Sequence, residues 1–194
     1  DTTWQPDTSV DAFPRSMKID NENYTILGLG VRTVSFFKIH VYAVGIYIAN
    51  SDIKGMMETM SSSDDLSRTD VIASLINKPT RFALRIVPVR KTDFNHLRDG
   101  FVRSIVGSSE QNEGVDELRS VFSRKLSVPK NGELMMMIQS NGSMKCTYSS
   151  SQNNNQVEVL GYVNDRDTVK ALFNHYLNKP AASESAQSSF IDSI

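Results

Sequence analysis

A single cysteine, Cys146, stands in 194 residues. That excludes an intrachain disulfide and any multi-cysteine metal centre, and it fits a reducing compartment. Histidine is almost as scarce. His40, His96 and His175 lie far apart with no HxxxH pairing, so zinc chelation by protein ligands alone has no support. No apolar run approaches the ~20 residues that cross a bilayer as a helix. Charge of one sign is missing too: 21 basic against 22 acidic residues leave a net −1. No global basic field therefore recruits nucleic acid or anionic lipid. No GxSxG elbow nominates a nucleophile, and the Gly28-Leu29-Gly30 run lacks the third glycine and the strand–helix context of a dinucleotide fingerprint. The chain opens on Asp1 rather than methionine, so an upstream segment carrying a targeting peptide or membrane anchor is expected.

What is present organises one ordinary domain, long enough to bury a core. Residues 1–15 read as an N-terminal arm docked by Trp4 and Phe13, residues 16–179 as the domain, and residues 180–194 as a linker-like tail. Strands are expected over 16–19, 24–34, 38–49 and 81–89, with Pro88 pushing the last toward a sheet edge. Ile53, Met56, Met57 and Met60 recur at spacings of three and four, an amphipathic helix with a methionine-rich face that fills core gaps. The SSSDD run at 61–65 breaks it, and a short helix follows over 67–77.

Thr92 reads as the N-cap of the best-formed helix, with Phe94, Leu97, Phe101 and Ile105 on one face and Gly107–Ser108–Ser109 ending it. Another helix is expected over 113–126. Asn141-Gly142 between two apolar runs is a strong hairpin signal. Residues 149–156 read as a mobile polar insertion, 156–163 as a strand, and Asn164 or Asp165 as the cap of a last helix carrying Val169, Leu172, Phe173 and Tyr176. Strands early, a helical block, a hairpin, a strand and a final helix give an α+β fold: an antiparallel sheet with helices on one face.

Arg32 is the one arginine within a 22-residue run, 28–49, of mostly β-branched and aromatic residues. An unpaired guanidinium stays protonated and costs several kcal/mol in a dry interior. Arg32 therefore either pairs near the surface or supplies a fixed cation to a cleft. Strand parity puts Lys38, His40 and Tyr42 on one face, which would offer a cation, an imidazole and a phenol to the same cavity. His96 and His175 read as solvated, as do most of Arg81, Arg85, Arg90, Arg98 and Arg103; of these, Arg85 is the one expected to face the cavity. A haem needs less than zinc does, because one axial histidine suffices and an arginine can hold a propionate.

The GLGVRTVSFF run followed by VYAVGIYIA resembles the chalcone isomerase family, and is most like its fungal mitochondrial branch. The strand ending at Pro88, the helix after it and the terminal helix extend the likeness over most of 16–178. The resemblance implies an open-faced β-sandwich: a large antiparallel sheet, a helical layer and a ligand cleft between them. In true isomerases the cleft arginine binds and polarises the flavonoid, while a threonine, a tyrosine and an asparagine organise the ketone and a water. Arg32 matches the arginine, but the other three places fall on Tyr42, Phe94 and Phe101. Each group that stabilises a developing oxyanion is worth ~3–4 kcal/mol, so little isomerase activity is expected.

The resemblance instead implies a non-catalytic binder of haem b, or of another flat or elongated apolar ligand with a carboxylate. Arg32 would be in the cleft, His40 would be the candidate axial ligand of the iron, and Phe37, Tyr42, Phe94 and Phe101 would be packing contacts. A fatty-acid-binding protein and a chalcone–flavanone isomerase remain the alternatives. It further implies a mitochondrial location at the inner membrane, with a tether in the upstream segment and no nucleic-acid partner.

Overall fold

The computed structural model describes residues 2–62, 67–106 and 113–194; the expected break at 63–65 and helix stop at 107–109 lie outside them. Two short strands, β1 (Thr3–Trp4) and β2 (Phe13–Pro14), pair within the arm. The domain follows with β3 (Ser16–Ile19), β4 (Glu22–Val34), β5 (Ile39–Ala49) and β6 (Phe82–Pro88). After β7 (Thr92–Asp93) and its partner β8 (Ser127–Val128) come β9 (Glu133–Ile138), β10 (Met144–Ser149) and β11 (Glu158–Val163). The helices are α1 (Asn50–Ser61), α2 (Arg68–Asn77), α3 (Phe94–Ile105), α4 (Glu113–Val121), α5 (Arg166–Leu177) and α6 (Glu184–Asp192).

Seven strands form one antiparallel sheet in the order β11-β10-β9-β6-β5-β4-β3. Alternation sorts its side chains. Val44, Ile46, Ile48, Leu84, Ile86, Met136 and Cys146 face the helices, where Phe101, Phe122, Leu172, Phe173 and Phe190 meet them. Ala43, Tyr47, Ala83, Val87, Met135 and Met137 face the other way, onto Phe13 and Val10 of the arm. Both faces of the central strands are thus buried, which is why β5 and β6 read as near-continuous apolar runs. The chain belongs to the α+β class expected of it, with the helical layer on one face of a large antiparallel sheet.

The structure corrects several local expectations. Pro88 is the last residue of β6, a central strand rather than an edge one, and its missing N–H falls at the strand's end; it pairs with Tyr42 and its carbonyl accepts from the Asn131 N–H. Met57 is exposed, and of the methionines in α1 only Met56 is buried. α4 stops at Val121, and α3 begins at Phe94, so that Asp93 rather than Thr92 occupies its cap position. Residues 150–156 form a tight turn, in which Ser150 and Asn153 hydrogen-bond reciprocally. Arg85 faces the arm: it pairs with Glu133 and stacks 4.3 Å over the Phe13 ring.

The C-terminal segment departs most from expectation. Residues 184–192 are α6, not a linker, and Ala186 and Phe190 are fully buried. β3 pairs only with residues 22–25 of β4, leaving the rest of that edge open. α6 closes it with hydroxyls. Ser185 Oγ accepts from the Val31 N–H at 2.9 Å, Ser189 Oγ accepts from the Leu29 N–H at 3.1 Å, and Ser183 Oγ donates to the Val31 carbonyl at 2.9 Å. Such closeness requires Gly28 and Gly30. A Cβ on Gly30 would stand 2.1 Å from the Ala186 nitrogen, and one on Gly28 would stand 2.7 Å from its oxygen.

Candidate ligand-binding site

Where β4, β5 and the start of α3 diverge, a half-open cavity of about 490 Å³ remains. Tyr42, Val41, Val34, Leu97 and Phe101 give it an apolar wall. Arg32, Arg90, Lys91 and Arg103 surround it with cations, His96 adds an imidazole, and Asp93 is the acidic residue of its lining. None of these four cations joins an ion pair among the described residues. Arg32 Nη1 donates to the Ala182 carbonyl at 3.3 Å, and the guanidinium sits 6.0 Å from the Tyr42 ring centroid. Its partners, the Ala182 carbonyl and the Tyr42 phenol, are neutral and leave its charge uncompensated toward the cavity, the arrangement that receives an anion.

Tyr42 is 3% exposed, and its hydroxyl is hydrogen-bonded to that of Tyr176 on α5. Burial pushes the Tyr42 hydroxyl up, against the opposing pull of Arg32. Burial raises Tyr176 further, aided by Tyr42. Both phenols are neutral, and both have spent a hydrogen bond on each other. His175, the neighbour of Tyr176, is held below its ordinary value by burial and then by Arg32.

α3 supplies the opposite wall. His96, Gly100 and Arg103 recur at i, i+4 and i+7 and so share one helix face. A Cβ built on Gly100 meets nothing within 4 Å. Glycine inside a helix is unfavourable by about 1 kcal/mol relative to alanine, and here its missing side chain keeps the cavity open.

The expected residues thus divide. Arg32, Tyr42 and Phe101 come together. His40 does not, because β5 bulges: Arg32 pairs with Tyr42 but Thr33 with His40, leaving Val41 as the extra residue. The bulge reverses parity, so His40 is exposed against Thr8 of the arm, its Nδ1 3.3 Å from the hydroxyl, in a separate hollow with Lys38, Asp7 and Glu184. Phe37 is 83% exposed at the tip of the β4–β5 hairpin, outside the cavity. Phe94, the first residue of α3, is buried beneath it, edge-on to Tyr148 at 5.1 Å. Sequence reasoning missed His96, Arg90, Lys91 and Arg103, which it placed in solvent or passed over. The signal was available in the helical spacing of His96, Gly100 and Arg103.

A family profile described as chalcone isomerase like matches residues 22–191, from the second strand of the sheet to the end of α6. The chain belongs to the chalcone isomerase-like family. Its curated relatives include Altered inheritance of mitochondria protein 18 of Lachancea thermotolerans, 36% identical over 91% of this chain, and of Kluyveromyces lactis, 33% identical over 90%. The Saccharomyces cerevisiae protein of that name is 31% identical over 98% of the chain. The chain spans about two thirds of the length of these relatives. Among solved structures, a fatty-acid binding protein of Arabidopsis thaliana superposes with a TM-score of 0.74, covering 96% of each chain at 18% identity. The chalcone isomerase-like fold is therefore shown, α6 included.

Proposed function

We propose that this chain is a non-catalytic haem-binding protein of mitochondria, in which Arg32 holds a haem carboxylate. The observation that carries the reading is the cavity's charge: four uncompensated cations and an imidazole around an aromatic and aliphatic wall. A ligand suited to it is apolar in body, acidic at more than one point and able to use an imidazole. Haem has two propionates and an iron, and its binding within a pocket of this size class is ordinary. Arg32 would take one propionate, Arg90, Lys91 or Arg103 the other, and Phe101, Leu97 and Tyr42 would line the ring. His96 replaces His40 as candidate axial ligand, since His96 lines this cavity. When bound, haem supplies a redox-active iron; the chain's own residues supply charge pairing and exclusion of water.

The catalytic alternative has less support. Of the three positions that organise the ketone in true isomerases, two carry phenylalanine, and the third carries a tyrosine whose hydroxyl is engaged with Tyr176. A fatty acid is the second reading, favoured by the likeness to the Arabidopsis protein. The mitochondrial names of the fungal relatives support a mitochondrial location, and the inner membrane is proposed as the site within it.

Purified protein titrated with haemin decides between the readings. A Soret band saturating at one haem per chain is expected. Arg32→Ala should weaken binding at least ~10-fold, the scale of one lost charge-assisted contact. His96→Ala should shift the Soret maximum while His40→Ala leaves it in place. No Soret band, together with tight uptake of a fluorescent fatty acid, would replace haem with an acyl chain. Equal binding by wild type and Arg32→Ala would remove the cavity from either reading.

A further inference from the structure

The β4–β5 hairpin ends in an unusual turn. Ser35, Phe36, Phe37 and Lys38 connect the strands, closed by the Lys38 N–H donating to the Ser35 carbonyl at 3.1 Å. Ser35 and Lys38 both adopt left-handed backbone, with φ of 64° and 49°, where glycine or asparagine is the ordinary choice. Between them Phe36 is 96% exposed and Phe37 83% exposed, their rings edge-to-face with centroids 6.0 Å apart. Val34 and Ile39, paired at the strand ends, are each about two-fifths exposed. Four large apolar side chains within six residues therefore project from the end of a long hairpin with no core to enter.

The charge at this end is not that of the whole chain. Lys38 sits in the turn, and Val34 shares the cavity mouth with Arg32, Arg90, Lys91 and Arg103. Among the described residues none of these five cations joins an ion pair. The acidic residues bordering the two hollows here are Asp7, Asp93 and Glu184. A chain of net charge −1 thus gathers free cations beside its most exposed aromatic residues.

We infer that this hairpin tip docks onto an anionic phospholipid bilayer. Phe36 and Phe37 enter the interface, and Lys38, Arg90 and Lys91 meet the headgroups. Aromatic side chains settle at the membrane interface, and each nearby lysine or arginine adds attraction to anionic lipid. Neither feature suffices for stable attachment; the two together make a reversible one. Docking by the tip would turn the cavity mouth toward the lipid surface, because Val34 belongs to both. The inference stands whichever apolar ligand the cavity takes, and it concerns residues of the folded domain rather than an upstream tether.

Vesicle co-sedimentation of the purified chain tests it, with phosphatidylcholine vesicles containing or lacking phosphatidylglycerol. The wild type should pellet with the anionic vesicles and be released by added salt. Phe36→Ser with Phe37→Ser should weaken partition roughly 30-fold, the scale expected for two interfacial phenylalanines. Its melting temperature should be unchanged, because neither ring touches the core. Arg90→Gln with Lys91→Gln should lower anionic binding and leave the residual binding less sensitive to salt than that of the wild type. Failure of the wild type to pellet with either vesicle would overturn the inference, as would undiminished partition of the double phenylalanine variant. Concentration-dependent self-association abolished by that variant, without vesicle binding, would assign the tip to a second copy and also overturn it.

Discussion

Arg32, Tyr42 and Tyr176 carry the residue-scale logic of the cavity. The two hydroxyls satisfy one another in a site where water does not reach, so removing either leaves the other without its partner. Tyr42→Phe and Tyr176→Phe should each cost about 1–2 kcal/mol in urea unfolding, and the double variant less than their sum, because it leaves no orphan. Additive losses would mean that the pair contributes nothing as a pair. Arg32 was legible in the sequence for a physical reason: a permanent charge inside an apolar strand run needs a purpose. Tyr176 was legible only as an inward residue of the last helix, since nothing in its local spacing names a partner 134 positions away. His40 was misplaced because a one-residue bulge reverses every later parity, and the run from Lys38 to Tyr42 carries no glycine to mark it.

At the scale of elements, apolar patterning decided what could be foreseen. The strands over 24–34 and 38–49 and the helix after Pro88 have long, strong periods, and they form within a residue or two of their expected bounds. The helix at 184–192 was hidden by its composition. Its fully buried apolar residues are only Ala186 and Phe190, four apart, and serine hydroxyls make much of its contact with the open edge of β4. The glycines of β4 are the other half of that contact. Gly30→Ala should destabilise the protein by about 2 kcal/mol or more, because the strand and α6 backbones cannot both stay in place. Thermal melting checks it, and an unchanged midpoint would show that α6 does not dock there.

Gly100 on α3 predicts the opposite sign. With open space around it, Gly100→Ala should raise stability by about 0.5–1 kcal/mol through helix propensity alone. Gly100→Phe should keep the fold and block haemin uptake. Loss of the fold in the phenylalanine variant would show that the space is not a cavity.

For the whole molecule, the sheet is a partition. Helices bury one face and the arm buries part of the other, so groups trapped at the seams respond to pH together with folding. His175 is the clearest. Its ring Nε2 is buried without a hydrogen-bond partner among the described residues, and the group facing it with charge is the Arg32 guanidinium. Burial first, and Arg32 second, hold it below the ordinary 6.5, so the folded state prefers the neutral ring.

The sign follows from linkage. Above 6.5 both folded and unfolded chains are neutral here, and stability is at its full value. As pH falls through 6.5 the unfolded chain takes up the proton first, and stability declines until the lowered folded value is passed. The carboxylates act later. Asp52 is raised by burial, but the hydrogen bonds and charge of Arg81 outweigh that and hold it below 3.8. Its contribution is therefore lost only as pH falls below 3.8. Denaturation midpoints measured across this range should show two separate declines, and His175→Gln should remove the upper one while leaving the lower. A wild type equally stable at pH 7 and pH 5 would mean that the imidazole accepts its proton without disturbing the cavity wall, and that α5 is looser against Arg32 than its burial implies.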